Sequence, residues 1–237
     1  MIVPLWPGWI PGRPFWAYAV GAALVAAGVA ILFNIKGRTV AAVLGAVILV
    51  LVVVDDIPGQ LAHYPAHLGV WTNTFKALTM CGGAWIVAGT LVAGSLTERT
   101  SGVTRYLEPL MPFGRFFLPI TVIAFGIDHF LYPAFVATLV PAWIPGHVFW
   151  TYFAGVALIA AGVGMIVRVL PRLASLMLGI MIFLWFIFLH IPRAIADPHT
   201  AFGNEWTRVF EALAFSGIAF MLAALPASNP MSISPSK

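Results

Sequence analysis

The sequence predicts an all-α integral membrane protein: seven transmembrane helices in a three-plus-four arrangement of two tandem modules that share one orientation. Three observations lead there. Apolar residues make up 61% of the chain and charged residues only 8%, where soluble domains carry about 25% charged residues. The apolar residues fall into stretches close to the roughly 20 needed to cross a hydrocarbon core. Finally, the phrase Trp-Ile-Pro-Gly at 9–12 returns at 143–146, each time followed by Phe-Trp and then Tyr at the same steps (Phe15, Trp16 and Tyr18; Phe149, Trp150 and Tyr152), an offset of 134 residues.

The first span is read at 14–34, directly after the first copy of that phrase, and the joint "NIKGR" separates it from a second span at 38–57. A third follows at 72–94. A cytoplasmic linker at 98–113 then leads to spans at 114–138, 147–168, 172–192 and 205–225, and 227–237 reads as a flexible tail. The opening "MIVPLWPGWIPG" has no basic stretch and is broken by prolines, so no cleavable signal is expected there. The repeat runs beyond the phrase. Gly21, Leu24, Ala27 and Gly28 match Gly155, Leu158, Ala161 and Gly162, and Ile57-Pro58 matches Ile191-Pro192. With one residue of slippage "WTNTFKAL" at 71–78 matches "WTRVFEAL" at 206–213. The modules are therefore 1–97, with three helices, and 114–226, with four. The first lacks a counterpart of the span at 114–138. Small residues at helical spacing after each phrase (Gly155, Ile159 and Gly162; Ala157, Ala161 and Gly164) are expected to allow close helix contact. The phrase itself reads as an interfacial elbow, its tryptophan at the membrane surface and its proline setting the next helix. A ligand-binding lip is the alternative.

Lys36, Arg38, Arg99, Arg105, Arg115, Arg168, Arg172 and Lys237 fall on one side of this arrangement, and only Arg13, Arg193 and Arg208 on the other. Because basic residues near helix ends mark the cytoplasmic side, the amino end is expected outside and the carboxyl end inside. Both modules then run the same way, unlike the inverted repeats of many transporters.

Acids and histidines show the opposite bias, with all six histidines in the outer half. Ionisable groups within spans are costly and mark function more often than elsewhere. Asp128 and His129 lie well inside the fourth span, with Tyr132 one turn on and Pro133 releasing the carbonyl of His129. A kinked helix carrying these groups suits proton handling; the alternative is an aspartate that only fastens the modules together. Asp56 and His190 occupy matched positions before Ile-Pro, and Lys76 and Glu211 are matched near the start of the last helix of each module. Opposite charges at matched positions suit pairing between modules. His63 and His67 are four apart, as helical metal ligands require, but Pro65 between them interrupts a regular helix. Cys81 is the single cysteine, which excludes an internal disulfide, a CxxC pair and a thiolate cluster. No metal site and no tightly bound cofactor is expected. A haem between two histidines, such as His129 and His190, is the one arrangement left open. No phosphate loop, nucleophile elbow or nucleic-acid patch is visible.

Residues 126–166, "GIDHFLYPAFVATLVPAWIPGHVFWTYFAGVALIAAGVGMI", resemble the DoxX-like membrane family, whose members join an HF-containing first helix through a "VPxWIP" elbow to a small-residue second helix. The resemblance covers the second module and, through the repeat, most of the first. Asp128, His129, Pro141, Trp143 and Pro145 are the matching motif positions. It implies two classes of function. One is a non-catalytic accessory subunit of a membrane redox or energy-converting complex, favoured by the absence of a flavin, thiol or haem signature. The other is the membrane component of a quinone-linked oxidoreductase resembling the membrane subunit of thiosulfate:quinone oxidoreductase. In the latter, Asp128, His129 and His190 would handle protons and Asp56, Tyr132, Trp143 and Glu211 would line a quinone site. A bacterial inner-membrane location follows from the resemblance. Partners are the bilayer and other membrane subunits docking at the seam left by the missing helix.

Overall fold

A computed structural model describes residues 12–91, 102–199 and 204–225. Among these the fold is all helical, and six stretches are long and apolar enough to cross a membrane: Pro14–Leu32, Gly37–His63, Met111–Leu131, His147–Ile166, Pro171–Ala196 and Asn204–Ala224. The first three residues of the opening phrase, Glu98, Arg99, the boundary at 97 and the tail lie outside the described residues.

Helix α1 is Arg13–Leu32 and α2 is Gly37–Leu51. A π-helical turn, Val52–Asp56, joins α2 to α3, Ile57–His63. The reason for the wide turn is Pro58. It has no N–H for the carbonyl four residues back and its ring would strike it. The N–H of Ile57 instead reaches back five residues to Val52. A one-turn 3₁₀ segment, Leu68–Trp71, then leads into α4, Thr72–Thr90. After α5, Gly102–Leu107, and a 3₁₀ segment, Met111–Phe116, comes α6, Phe117–Leu131. The span expected at 114–138 is not one kinked helix. It breaks at Tyr132 (φ −127°, ψ 49°), because Pro133 cannot continue the ladder, and the short α7, Pro133–Ala137, follows. Helices α8, His147–Ile166, and α9, Pro171–Trp185, come next. A second π-helical turn, Phe186–His190, sits before Ile191-Pro192, with the N–H of Ile191 bonded to Phe186 as at the first. The chain ends in α10, Ile191–Ala196, and α11, Asn204–Ala224.

The span at 38–57 thus continues to His63, and the one at 172–192 to Ala196, each through its π turn. Helix α4, read as a third span over 72–94, stops at Thr90 and is not among the six apolar stretches. Its nine buried residues, among them Thr74, Thr79, Cys81 and Trp85, explain the low hydropathy. A helix enclosed by other helices has no need of a lipid-facing surface.

Local geometry recurs at the offset of 134. Gly12 (φ 69°) and Gly146 (φ 75°) both enter a helix from the left-handed region, which is why the phrase ends in glycine. Asn34 and Arg168, and Lys36 and Leu170, are left-handed as well. Gly45 abuts Trp85 and Gly179 abuts Phe220, so α2 locks on α4 as α9 locks on α11.

Two apolar cores meet at α4. One joins Ala41 and Ala42 of α2 to Cys81, Trp85 and Ala88 of α4. The other gathers Ile86 of α4, Val122 of α6, Leu158 of α8, Ile182 of α9 and Phe215 of α11. The Thr79 hydroxyl donates to that of Thr121 (2.8 Å), which donates to the Phe75 carbonyl (2.9 Å), fastening α4 to α6. Helix α8 packs closely on α6. Gly126, Gly155 and Gly162 sit at that crossing, and a Cβ on Gly162 would stand 2.5 Å from Ile123 Cγ1.

Candidate functional site: an apolar cavity with charged lining residues

Close packing of α6 with α8 and of α9 with α11 leaves a half-open cavity of about 1310 Å³, lined mostly by the second half of the chain together with His67, Gly69, Val70, Thr72 and Lys76. Its walls are mostly apolar: Ala157, Ala161 and Gly164 of α8 face Met177, Met181 and Trp185 of α9 across it. Those small α8 residues leave room, while Gly155 and Gly162 serve the contact with α6. The elbow at 138–146 contributes Pro141, Trp143 and Ile144 to the lining. Trp143 is 70% exposed and sets its ring edge-on to Phe188, with centroids 6.2 Å apart. Trp150 donates its indole N–H to the Pro145 carbonyl (3.2 Å), pinning the elbow to α8.

Six charged side chains line the cavity, three cationic (Lys76, Arg193, Arg208) and three anionic (Asp128, Glu205, Glu211). Lys76 of α4 pairs with Glu211 of α11 at 2.8 Å, the pairing between modules anticipated from their matched positions. Glu205, only 7% exposed at its side chain, lies between two guanidinium groups, Arg193 at 3.5 Å and Arg208 one turn away. His190, last in the second π turn, stands within electrostatic reach of Glu205, Lys76, Arg208 and Arg193, and its Nδ1 is buried without a hydrogen-bond partner.

Asp128 is 9% exposed, lines the cavity, and has no partner for Oδ1. The titratable side chain within electrostatic reach of it is His67. His67 stacks on Tyr132 with centroids 5.1 Å apart and planes 8° from parallel, its Nδ1 3.3 Å from the tyrosine hydroxyl. His129 donates from Nδ1 to the Phe125 carbonyl (2.7 Å), which leaves Nε2 free of that bond, and lies 6.4 Å from Trp185.

The structure thus brings Asp128, His129, Tyr132, Trp143, His190 and Glu211 to one cavity and leaves Asp56 outside it. Among the described residues no ion pair joins Asp56 to His190. Asp56 ends the π turn that follows α2, which packs chiefly on α1, α4 and α5. His63 and His67 also part company, since His63 turns back to the Gly59 carbonyl at 2.9 Å. Among the described residues no three of His, Cys, Asp and Glu gather to hold a metal ion. Sequence reasoning did not join Arg193, Glu205 and Arg208 into a cluster. The signal was present: Arg193 and Arg208 are two of the three exceptions to the basic-residue bias.

A family model described as a domain of unknown function (DUF8561) matches residues 118–227, from the start of α6 to just past α11. No curated protein and no solved structure matches the chain.

Proposed function

We propose that the protein is a quinone-linked component of a bacterial inner-membrane redox system, taking the ring of a lipid-soluble quinone into the cavity with its tail along the apolar walls. The observation that carries this reading is the cavity itself: about 1310 Å³, mostly apolar along α8 and α9, with polar lining groups from α4, α6, α10, α11, the second π turn and the segment before α4. In this reading Asp128, His129 and His190 exchange protons with the ring oxygens. Trp143 and Pro141 form the lip. The chain is read as a DoxX-like tandem repeat of seven spans, α4 being the seventh, with the amino end outside and the carboxyl end in the cytoplasm. The recurring π turns and left-handed residues support the repeat, and the loop charges support the orientation.

A direct test is solvent extraction of the detergent-purified protein followed by photolabelling with an azido-benzoquinone. Quinone recovered near one per chain, with label on peptides spanning 128–143 and 185–193, is the expected result. Absence of both from protein that remains folded would overturn the proposal.

A second reading has its own observation. No residue in the apolar window of α1 is buried, and a Cβ on Gly21 or Gly28 would meet nothing within 4 Å. Their counterparts Gly155 and Gly162 receive α6. An accessory subunit that docks a partner's helix on α1 would use this seam, and the two roles are compatible.

A further inference from the structure

We infer that the cavity selects a neutral head group that donates a hydrogen bond, so that within the quinone class it holds the reduced hydroquinone in preference to the oxidised quinone. This rests on the reading that the cavity takes a quinone-class molecule, and it specifies which form. Two observations carry it. The first is charge balance. Three cations and three carboxylates line the cavity, and both Glu205 and Glu211 are engaged with the cations. No cation is left without an acid to meet an anionic lipid, and the remaining carboxylate, Asp128, would repel one.

The second is an unspent acceptor. Asp128 is nine-tenths buried, lines the cavity, and has no partner for Oδ1. A buried oxygen of this kind costs free energy until a donor reaches it. A hydroquinone hydroxyl supplies that donor. A quinone carbonyl has only lone pairs to set against a carboxylate oxygen. Two other atoms of the lining are buried without a hydrogen-bond partner: His190 Nδ1, which does not discriminate because imidazole donates or accepts according to its tautomer, and Glu205 Oε2, whose charge is already met by Arg193 at 3.5 Å. Asp128, the lining carboxylate with neither a hydrogen bond to Oδ1 nor an ion pair among the described residues, is therefore the residue expected to tell the two forms apart.

Calorimetric titration of the full-length protein in detergent with a decyl-chain benzoquinone, the same molecule reduced to the hydroquinone, and dodecanoate tests this. The hydroquinone is expected to bind about tenfold tighter than the quinone, the difference one charge-assisted hydrogen bond makes, and dodecanoate weakest. Asp128→Asn, whose amide can also donate, should bring the two forms to within about threefold. Equal affinities in the unaltered protein, or a preference that survives Asp128→Asn, would overturn the inference while leaving the quinone-class reading intact. Failure of both forms to bind would remove that reading as well. Should the variant not fold, the carboxylate stretch of the unaltered protein provides the same decision in infrared difference spectra: it must shift with hydroquinone and not with quinone.

Discussion

Helices α1 and α8 begin with the same phrase, enter from a left-handed glycine and carry glycines at the same steps, yet none of the apolar window of α1 is buried against 28% of that of α8. The difference is α6. Gly155 and Gly162 let α6 approach until a Cβ would collide with it, while Gly21 and Gly28 face open space. The same asymmetry decides where chemistry can sit. Asp128, His129 and Tyr132 belong to or follow α6, and among the described residues no helix precedes α1 as α6 precedes α8. Where the second half carries Arg193, Glu205 and Arg208, the first has Gly59, Val70 and Asn73. One sequence pattern thus supports two different uses of a helix, and α6 with its charges brings most of the candidate site's lining to the second half.

The sharpest break in the comparison is Lys76 against Glu211, matched positions with opposite charge. Replacing Lys76 by Met leaves Glu211, its side chain 10% exposed, without its cation. That is expected to cost about 3 kcal/mol or more in a detergent unfolding titration. Exchanging the charges, Lys76→Glu with Glu211→Lys, should restore most of the loss. No recovery would show that the pair does not act as a unit. For contrast, Arg38→Met, which breaks an exposed pair with Glu108, should change stability by less than about 1 kcal/mol.

Gly162→Ala comes next. Its Cβ would lie 2.7 Å from the Pro119 carbonyl, a backbone atom that cannot swing away, so about 1–3 kcal/mol of destabilisation is expected by the same titration. Arg208→Gln ranks third at about 1.5 kcal/mol, since Arg193 still holds Glu205. A loss as large as that of Lys76→Met would mean that Arg193 contributes nothing.

Much of this arrangement is legible in the sequence and part is not. The spans follow from composition, the entry to α1 and α8 from the repeated phrase, and the Lys76–Glu211 pair from matched positions with opposite charge. Asp56, read as pairing with His190, was misplaced for a physical reason. A π turn inserts one extra residue and rotates all that follows by about 100° relative to an α-helical projection. Facing directions read by helical spacing therefore fail beyond Val52 and Phe186. Pro58 and Pro192 announce these turns, but proline alone does not distinguish a widened turn from a kink. Glu205, Arg193 and Arg208 were legible only as topology markers, because α10 and α11 meet through a loop whose path no pattern fixes. Helix α4 was legible as a span at 72–94 although, being enclosed, it is not among the six stretches apolar enough to cross a membrane.

The smallest effect on the protein alone is expected at Gly28, and it bears most directly on why α1 is bare. Gly28→Leu adds a side chain where a Cβ meets nothing within 4 Å, so stability in detergent should stay within about 0.5 kcal/mol of the unaltered protein. Small residues on a lipid-exposed face bring no benefit to an isolated helix, and glycine weakens a helix interior by roughly 0.5–1 kcal/mol relative to alanine. Retaining glycine at both steps makes sense if another helix lies against them, as α6 lies against Gly155 and Gly162. A leucine at Gly28 would hold such a helix away. In native membranes solubilised mildly, the variant is therefore expected to run as a smaller particle on size exclusion, with unchanged hydroquinone affinity. If the particle size is the same for both proteins, the glycine face of α1 meets only lipid and the accessory reading loses its support. If affinity falls with it, seam and cavity are coupled rather than independent.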